Sequence, residues 1–124
     1  MTTTTTYSNN LGITLIGTGQ QAGTWGTTTN TNFELLDEAI NGIVTLTLSA
    51  TGSTGSPNDQ TIADGTSSVL RHKFINVTSA SDLNGTVYLR LLDNTVEKIA
   101  IIKNSLAGSR SLVLIQGTYD AANV

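Results

Sequence analysis

The chain has 124 residues, nine acidic against six basic side chains, a net charge of −3 and no cysteine. That length holds one modest domain, and the cysteine count excludes a disulfide framework and a thiolate metal site. Only 12% of residues are charged, and Arg71, Lys73, Arg90, Lys98, Lys103 and Arg110 are scattered, so neither a phosphate backbone nor an anionic membrane surface is attracted at long range.

The chain opens on MTTTTTYSNN, which lacks the basic start and apolar core of a secretory signal, and no apolar run approaches the roughly 18 residues of a membrane span. From Met1 to Phe33 the only ionisable side chain is Tyr7. The tract Thr2 to Asn10 carries too little apolar surface to offset the entropy of ordering it alone, so a partner is expected to order it. Leu11, Ile13 and Leu15 read as a short strand. GTGQQAGTWGTTTN follows and reads as a long Gly/Thr loop with Trp25 as its one large apolar anchor.

At Thr31-Asn32-Phe33-Glu34 the S/T-x-x-E spacing is that of a capping box, in which the Thr hydroxyl and Glu carboxylate satisfy each other's free backbone N–H groups. It predicts a short helix over about 32–41, with Phe33, Leu36 and Ile40 on one face and Gly42 in a left-handed cap.

Beyond Gly42, Val44, Leu46 and Leu48 alternate with Thr45, Thr47 and Ser49 as a strand, and a polar excursion follows that holds the only proline, Pro57. Four more strands are expected over Val69–Val77, Thr86–Leu92, Lys98–Lys103 and Ser111–Tyr119. Asn84-Gly85, Asp93-Asn94 and Ala107-Gly108-Ser109 mark the turns between them. Leu112 and Leu114 face one way and Val113 and Ile115 the other, which predicts a last strand that is central or covered by a neighbouring chain. The expected fold is therefore mostly β: an antiparallel β-sandwich, jelly-roll-like, over 43–124, preceded over 1–42 by an extended N-terminal arm with one short α-helix.

Each pattern that could carry chemistry has a plainer reading. Gly17-Thr18-Gly19-Gln20-Gln21-Ala22 matches the G-x-G-x-x-A dinucleotide fingerprint, but Gly23-Thr24-Trp25-Gly26-Thr27 is poor material for the helix that must follow, and no second βαβ unit exists. His72 has no nucleophile elbow or carboxylate near it in sequence. Asn58, Asp59 and Asp64 share a loop without the spacing of a calcium site. Asn76-Val77-Thr78 and Asn84-Gly85-Thr86 fit the glycosylation sequon, and Asn84-Gly85 reads as a turn. No catalytic, cofactor or metal site is expected. Tyr7, Trp25, Phe33, Leu36 and Ile40 are expected to be assembly anchors that fill apolar sockets, although Trp25, Phe33 and Tyr7 could also stack sugars or bases.

The string Ala22-Gly23-Thr24-Trp25-Gly26, then Thr29-Asn30-Thr31-Asn32-Phe33 and Leu36-Asp37-Glu38-Ala39-Ile40, resembles the opening segment of tail-fibre and other virion structural proteins of marine bacteriophages, including cyanophages. The likeness extends through VTLTLS, RHKFINVT and the later strands, and covers nearly the whole chain. It implies the N-terminal, tail-anchoring part of a tail fibre, contributing to fibre assembly and host attachment, assembled in the host cytoplasm and resident in the virion tail. It also implies a chain that continues beyond Val124. The expected partners are copies of itself, as a trimer, other virion tail proteins, and a host surface receptor or glycan, with no nucleic acid and no membrane insertion. A capsid decoration protein, a carbohydrate-binding adhesin and a small enzyme are the competing classes.

Overall fold

The computed structural model describes residues 5–91, 99–118 and 120, which contain one long helix and eight short strands. Met1 to Thr4, the Asp93-Asn94 turn, Lys98, Tyr119 and Val124 lie outside the described residues. Strand β1 (Thr6–Tyr7) pairs antiparallel with β2 (Thr14–Leu15), and helix α1 (Trp25–Asn41) follows. The remaining strands are β3 (Ile43–Leu48), β4 (Asn58–Gln60), β5 (Phe74–Ser79), β6 (Val87–Leu91), β7 (Ile101–Ser105) and β8 (Leu112–Gln116).

These six strands do not form an antiparallel sandwich. Odd-numbered strands make one sheet in the order β3-β5-β7, even-numbered strands make a second in the order β4-β6-β8, and every pairing in both is parallel. Ile43 lies beside Phe74 and Phe74 beside Ile101; Asn58 lies beside Leu89 and Leu89 beside Leu114. The chain thus winds through three coils of about 30 residues, within the period range of solenoid repeats, and each coil adds one strand to each sheet.

Alternation of apolar and polar residues made the sandwich expectation reasonable, because it reports only which face of a strand is covered. It says nothing about whether the next strand in sequence is the hydrogen-bonded neighbour. Here each corner turns the chain into the opposite sheet, and hydrogen bonding skips to the following coil. The corners use residues at positive φ: Gly52 and Asn84 at 67° and 61°, with Gly108 at 75°. The Asn84-Gly85 turn is present, and Asp82 Oδ1 accepts a hydrogen bond from the Asn84 backbone N–H at 2.8 Å.

The core lies between the two sheets. Leu48, Ile75 and Val77 from one sheet meet Val87 and Leu89 from the other, with Leu70 and Leu106 closing the ends. Val44, Leu46, Ile102, Leu112 and Leu114 pack around them. Ser79 takes an inward position, and its hydroxyl accepts the Ala107 N–H at 3.2 Å. Two bidentate ion pairs clamp successive coils on the outside: Arg90 Nε and Nη2 to Asp59 at 2.7 and 2.8 Å, and Arg110 Nε and Nη2 to Asp82 at 2.6 and 2.8 Å.

Several local expectations change. Val69–Arg71 is a 3-10 turn, and the strand begins only at Phe74. The strand β4, Asn-Asp-Gln, lies inside the polar excursion, where three polar residues offer no periodicity to read. β8 is an edge strand, yet Ile115 on its outer face is buried. In the expected strand Lys98–Lys103, Ile101 is exposed and Ile102 packs against the core, and the strand itself runs over Ile101–Ser105.

The helix also differs. It begins at Trp25, two turns before the Thr31 capping box, and is 17 residues long with Thr24 at its N-cap. Thr31 and Glu34 therefore sit in its interior. Gly42 has φ −62° and ψ 138°, an extended backbone and not a left-handed cap. Glycine is required there for space: a Cβ would collide with the Glu38 carbonyl oxygen and sit 2.7 Å from the Glu38 Cα.

Candidate functional site

Residues 5–41 fold onto the chain's own body, in contrast to the extended arm expected. Asn32 on α1 holds β2 with both ends of its amide: Oδ1 accepts the Thr14 N–H at 2.9 Å, and Nδ2 donates to the Thr14 carbonyl at 2.8 Å. The hairpin loop reaches residues 64 and 65, where the Gly65 N–H donates to the Gly12 carbonyl at 2.7 Å. Tyr7 lies so close to Gly65 that a Cβ there would be 2.9 Å from its ring. Of the five predicted anchors, Tyr7 thus already leans on its own chain.

The other four share one side of α1. At 3.6 residues per turn, Trp25, Phe33, Leu36 and Ile40 fall within about 80° of arc. Leu35, which is buried, projects about a third of a turn away. Trp25, Phe33 and Ile40 are 61%, 64% and 61% exposed, while Leu36 is half-buried. The four side chains thus line one side of the helix, mostly exposed, next to the side that packs through Leu35. Phe33, Leu36 and Ile40 also show the three-then-four spacing by which helices pack side by side.

The stripe runs into a cleft at its C-terminal end. The cleft measures about 760 Å³ and is lined by the aliphatic side chains of Leu11, Ala39, Ile40, Ile62 and Ile99. Two cations complete it, Lys73, which is exposed, and Arg71, which is fully buried. Ile43 and Ile101 lie exposed on the adjoining sheet.

Arg71 is a residue that sequence reasoning passed over as one of six scattered cations. Its Nη2 donates to the carbonyls of Ala63 and, at 3.3 Å, Thr66. Its Nε lies 4.0 Å from Glu38 Oε2 on α1, and neither atom has a hydrogen-bond partner. Burial pushes the guanidinium below its ordinary pKa, opposed by the charges of Glu38 and Asp64. The group is a buried cation that ties the helix to the loop before β5. A charge directly after the apolar pair Val69-Leu70 was the available sign.

The remaining candidates resolve into structural roles. His72 Nδ1 lies 2.9 Å from the Ser68 carbonyl. Asn58 Nδ2 donates to the carbonyls of Ala50 and Tyr88 at 3.1 and 3.0 Å and closes a corner of the first coil. Asp59 is held below the usual carboxylate range by its hydrogen bond from Arg90, and Asp82 is lowered to about 2 by the one from Arg110. Among the described residues, no three His, Cys, Asp or Glu side chains converge on a common point, and no helix is long and apolar enough to cross a membrane. A helix does open just after the G-x-G-x-x-A string, contrary to expectation, but the two-residue β2 before it pairs only with β1 and joins neither parallel sheet. The strand-helix-strand unit that a dinucleotide needs is missing from this arrangement. Comparison with known proteins found no matching family model, no matching curated protein and no matching solved structure.

Proposed function

We propose that this chain is a non-enzymatic structural protein of a bacteriophage virion, a tail-fibre component that works by assembling with copies of itself, as a trimer, and with other tail proteins. The observation that carries the reading is the apolar stripe of Trp25, Phe33, Leu36 and Ile40, held on a folded helix and left uncovered. Burying such a stripe against another protein gains about 25 cal/mol per Å² of apolar surface, and the helix is already ordered, so little conformational entropy is lost on docking. The low charge of the chain as a whole, 12% of residues, favours the same use, because few ions must be desolvated. The spatial grouping agrees with the likeness of the GTWG, TNTNF and LLDEAI strings to phage fibre proteins. Contact with a host receptor or glycan belongs to the same reading and has no dedicated cleft assigned to it here.

Labelling purified phage particles with antibody against this chain tests the proposal. Signal at the tail is expected. Signal confined to the capsid lattice would make the chain a decoration protein, and particles without the chain would end the virion reading altogether.

A further inference from the structure

The chain holds two Asn-Gly steps, Asn41-Gly42 and Asn84-Gly85, each preceded by an aliphatic residue, Ile40 and Leu83. The fold puts these two alike sequences in opposite conditions. An asparagine before glycine carries a latent reaction, because the glycine backbone nitrogen has no Cβ beside it and can attack the asparagine carboxamide carbon. The attack requires that this nitrogen be uncommitted and that the backbone around it can turn.

At the first step both requirements fail. Asn41 is the last residue of α1, and the Gly42 N–H donates to the Glu38 carbonyl at 2.9 Å. Gly42 is also hemmed in, with the place of a Cβ 2.7 Å from Glu38 Cα and 2.8 Å from the His72 ring. At the second step both are met. Asn84 is exposed, lies outside any helix or strand and has φ 61°, a conformation open to asparagine more than to most residues. Asp82 accepts the N–H of Asn84 itself, whereas among the described residues the Gly85 N–H has no hydrogen-bond partner. A Cβ at Gly85 would meet only Thr51 Cγ2, at 3.6 Å, and Gly85 is not at positive φ. The Asn84 carboxamide oxygen lies 3.5 Å from Arg110 Nη2, where a guanidinium stabilises the negative charge that builds on that oxygen during attack.

We infer that Asn84 is a self-modification site, which converts through a cyclic imide to aspartate and isoaspartate while Asn41 stays intact. In the first step the Gly85 nitrogen bonds to Asn84 Cγ, the Cγ–Nδ2 bond breaks, and Nδ2 leaves as ammonia with the proton that Gly85 gives up. In the second, water adds across one of the two imide C–N bonds, its hydroxyl to the carbonyl carbon and its proton to the nitrogen. Opening on the side-chain carbonyl gives aspartate, and opening on the main-chain carbonyl gives isoaspartate. Either product sets a carboxylate beside Arg110, which Asp82 already holds through two bonds, so that two like charges compete for one guanidinium. Isoaspartate also adds a carbon to the backbone of the corner that leads into β6, whose first residue, Val87, is fully buried. The modification therefore acts on the clamp between the second and third coils, with time and water as its only inputs.

The test is incubation of the purified chain in mildly alkaline buffer, with fragmentation mass spectrometry to follow each asparagine and an isoaspartate-specific methyltransferase to label the product. Asn84 should convert at least about tenfold faster than Asn41, which corresponds to a barrier difference of about 1.4 kcal/mol. In urea, where unfolding releases Gly42 from Glu38, the two rates should come together. Gly85→Ala, which the space around that residue admits, should slow conversion of Asn84 by about tenfold or more. An Asn84 that keeps its amide while Asn41 converts, a preference for Asn84 that persists unchanged in urea, or a Gly85→Ala chain that converts as fast as the parent would each overturn the inference.

Discussion

Helix α1 and the strand body use the same kinds of apolar side chain to opposite ends. In the body, Ile75, Val77, Val87 and Leu89 are closed between two sheets and hold three coils together. On the helix only Leu35 is closed off to the same degree, and the larger side chains of Trp25, Phe33 and Ile40 face outward. The two regions meet at Glu38 and Arg71, where a buried cation joins helix to body, and at Gly42, where helix passes directly into strand. The contrast separates residues that make the fold from residues that the fold makes available.

That separation can be broken most sharply at the joint. Replacing Arg71 with leucine leaves the Ala63 and Thr66 carbonyls without their donor and Glu38 as an uncompensated buried charge, and a loss of about 3–5 kcal/mol in stability is expected. Chemical denaturation measures it, and the doubly altered Arg71→Leu, Glu38→Gln chain should recover part of the loss. Within the body, Leu89→Ala should cost about 2–5 kcal/mol through the cavity it opens between the sheets. Gly42→Ala forces a methyl group against the helix backbone at Glu38 and should cost about 1–3 kcal/mol, as overpacking does elsewhere. An unchanged melting temperature for Gly42→Ala would mean that the close approach of helix and strand is easily relieved.

On the helix the expectation reverses. Phe33→Ala should change the stability of the dissociated chain by no more than about 0.5 kcal/mol, as exposed substitutions do, while weakening self-association in native mass measurements. A marked drop in melting temperature would place Phe33 among the residues that make the fold and dissolve the contrast. The smallest effect belongs to the Asp82–Arg110 clamp between coils. Its carboxyl has a folded value of about 2 against an ordinary 3.8, so its contribution is fully present above pH 4 and is lost as pH falls from there through the folded value. An acid titration followed by circular dichroism should show Asp82→Asn removing a small part of the pH dependence in that window, and 1 M salt should reduce the difference.

The legible part of the candidate surface was the spacing. Phe33, Leu36 and Ile40 fall at helical spacing, so their common face can be read from the sequence, whereas Trp25 was read as a loop residue and joins that face only because α1 begins at Trp25. The partial burial of Leu36 and the packing of Tyr7 on Gly65 were not legible, because each depends on a segment distant in sequence. The start of α1 was misplaced for a local reason: a capping box at Thr31 is a good helix opening, but the Thr-rich turn before it also tolerates helix, and the Asn32 bonds to Thr14 hold that region against the hairpin.

By itself the amino-acid sequence determined where the strands β3, β6, β7 and β8 fall to within a few residues and, for most of their side chains, which face each shows, since those features follow from alternation and from turn residues such as Asn84-Gly85. Only the tertiary structure decided that the strands pair in parallel across successive coils, that the short polar β4 completes a sheet, and that Arg71 is buried under α1. Pairing partner and direction are set by where each corner sends the chain and by the backbone hydrogen bonds between coils, and backbone hydrogen bonds are nearly indifferent to the side chains from which a sequence is read.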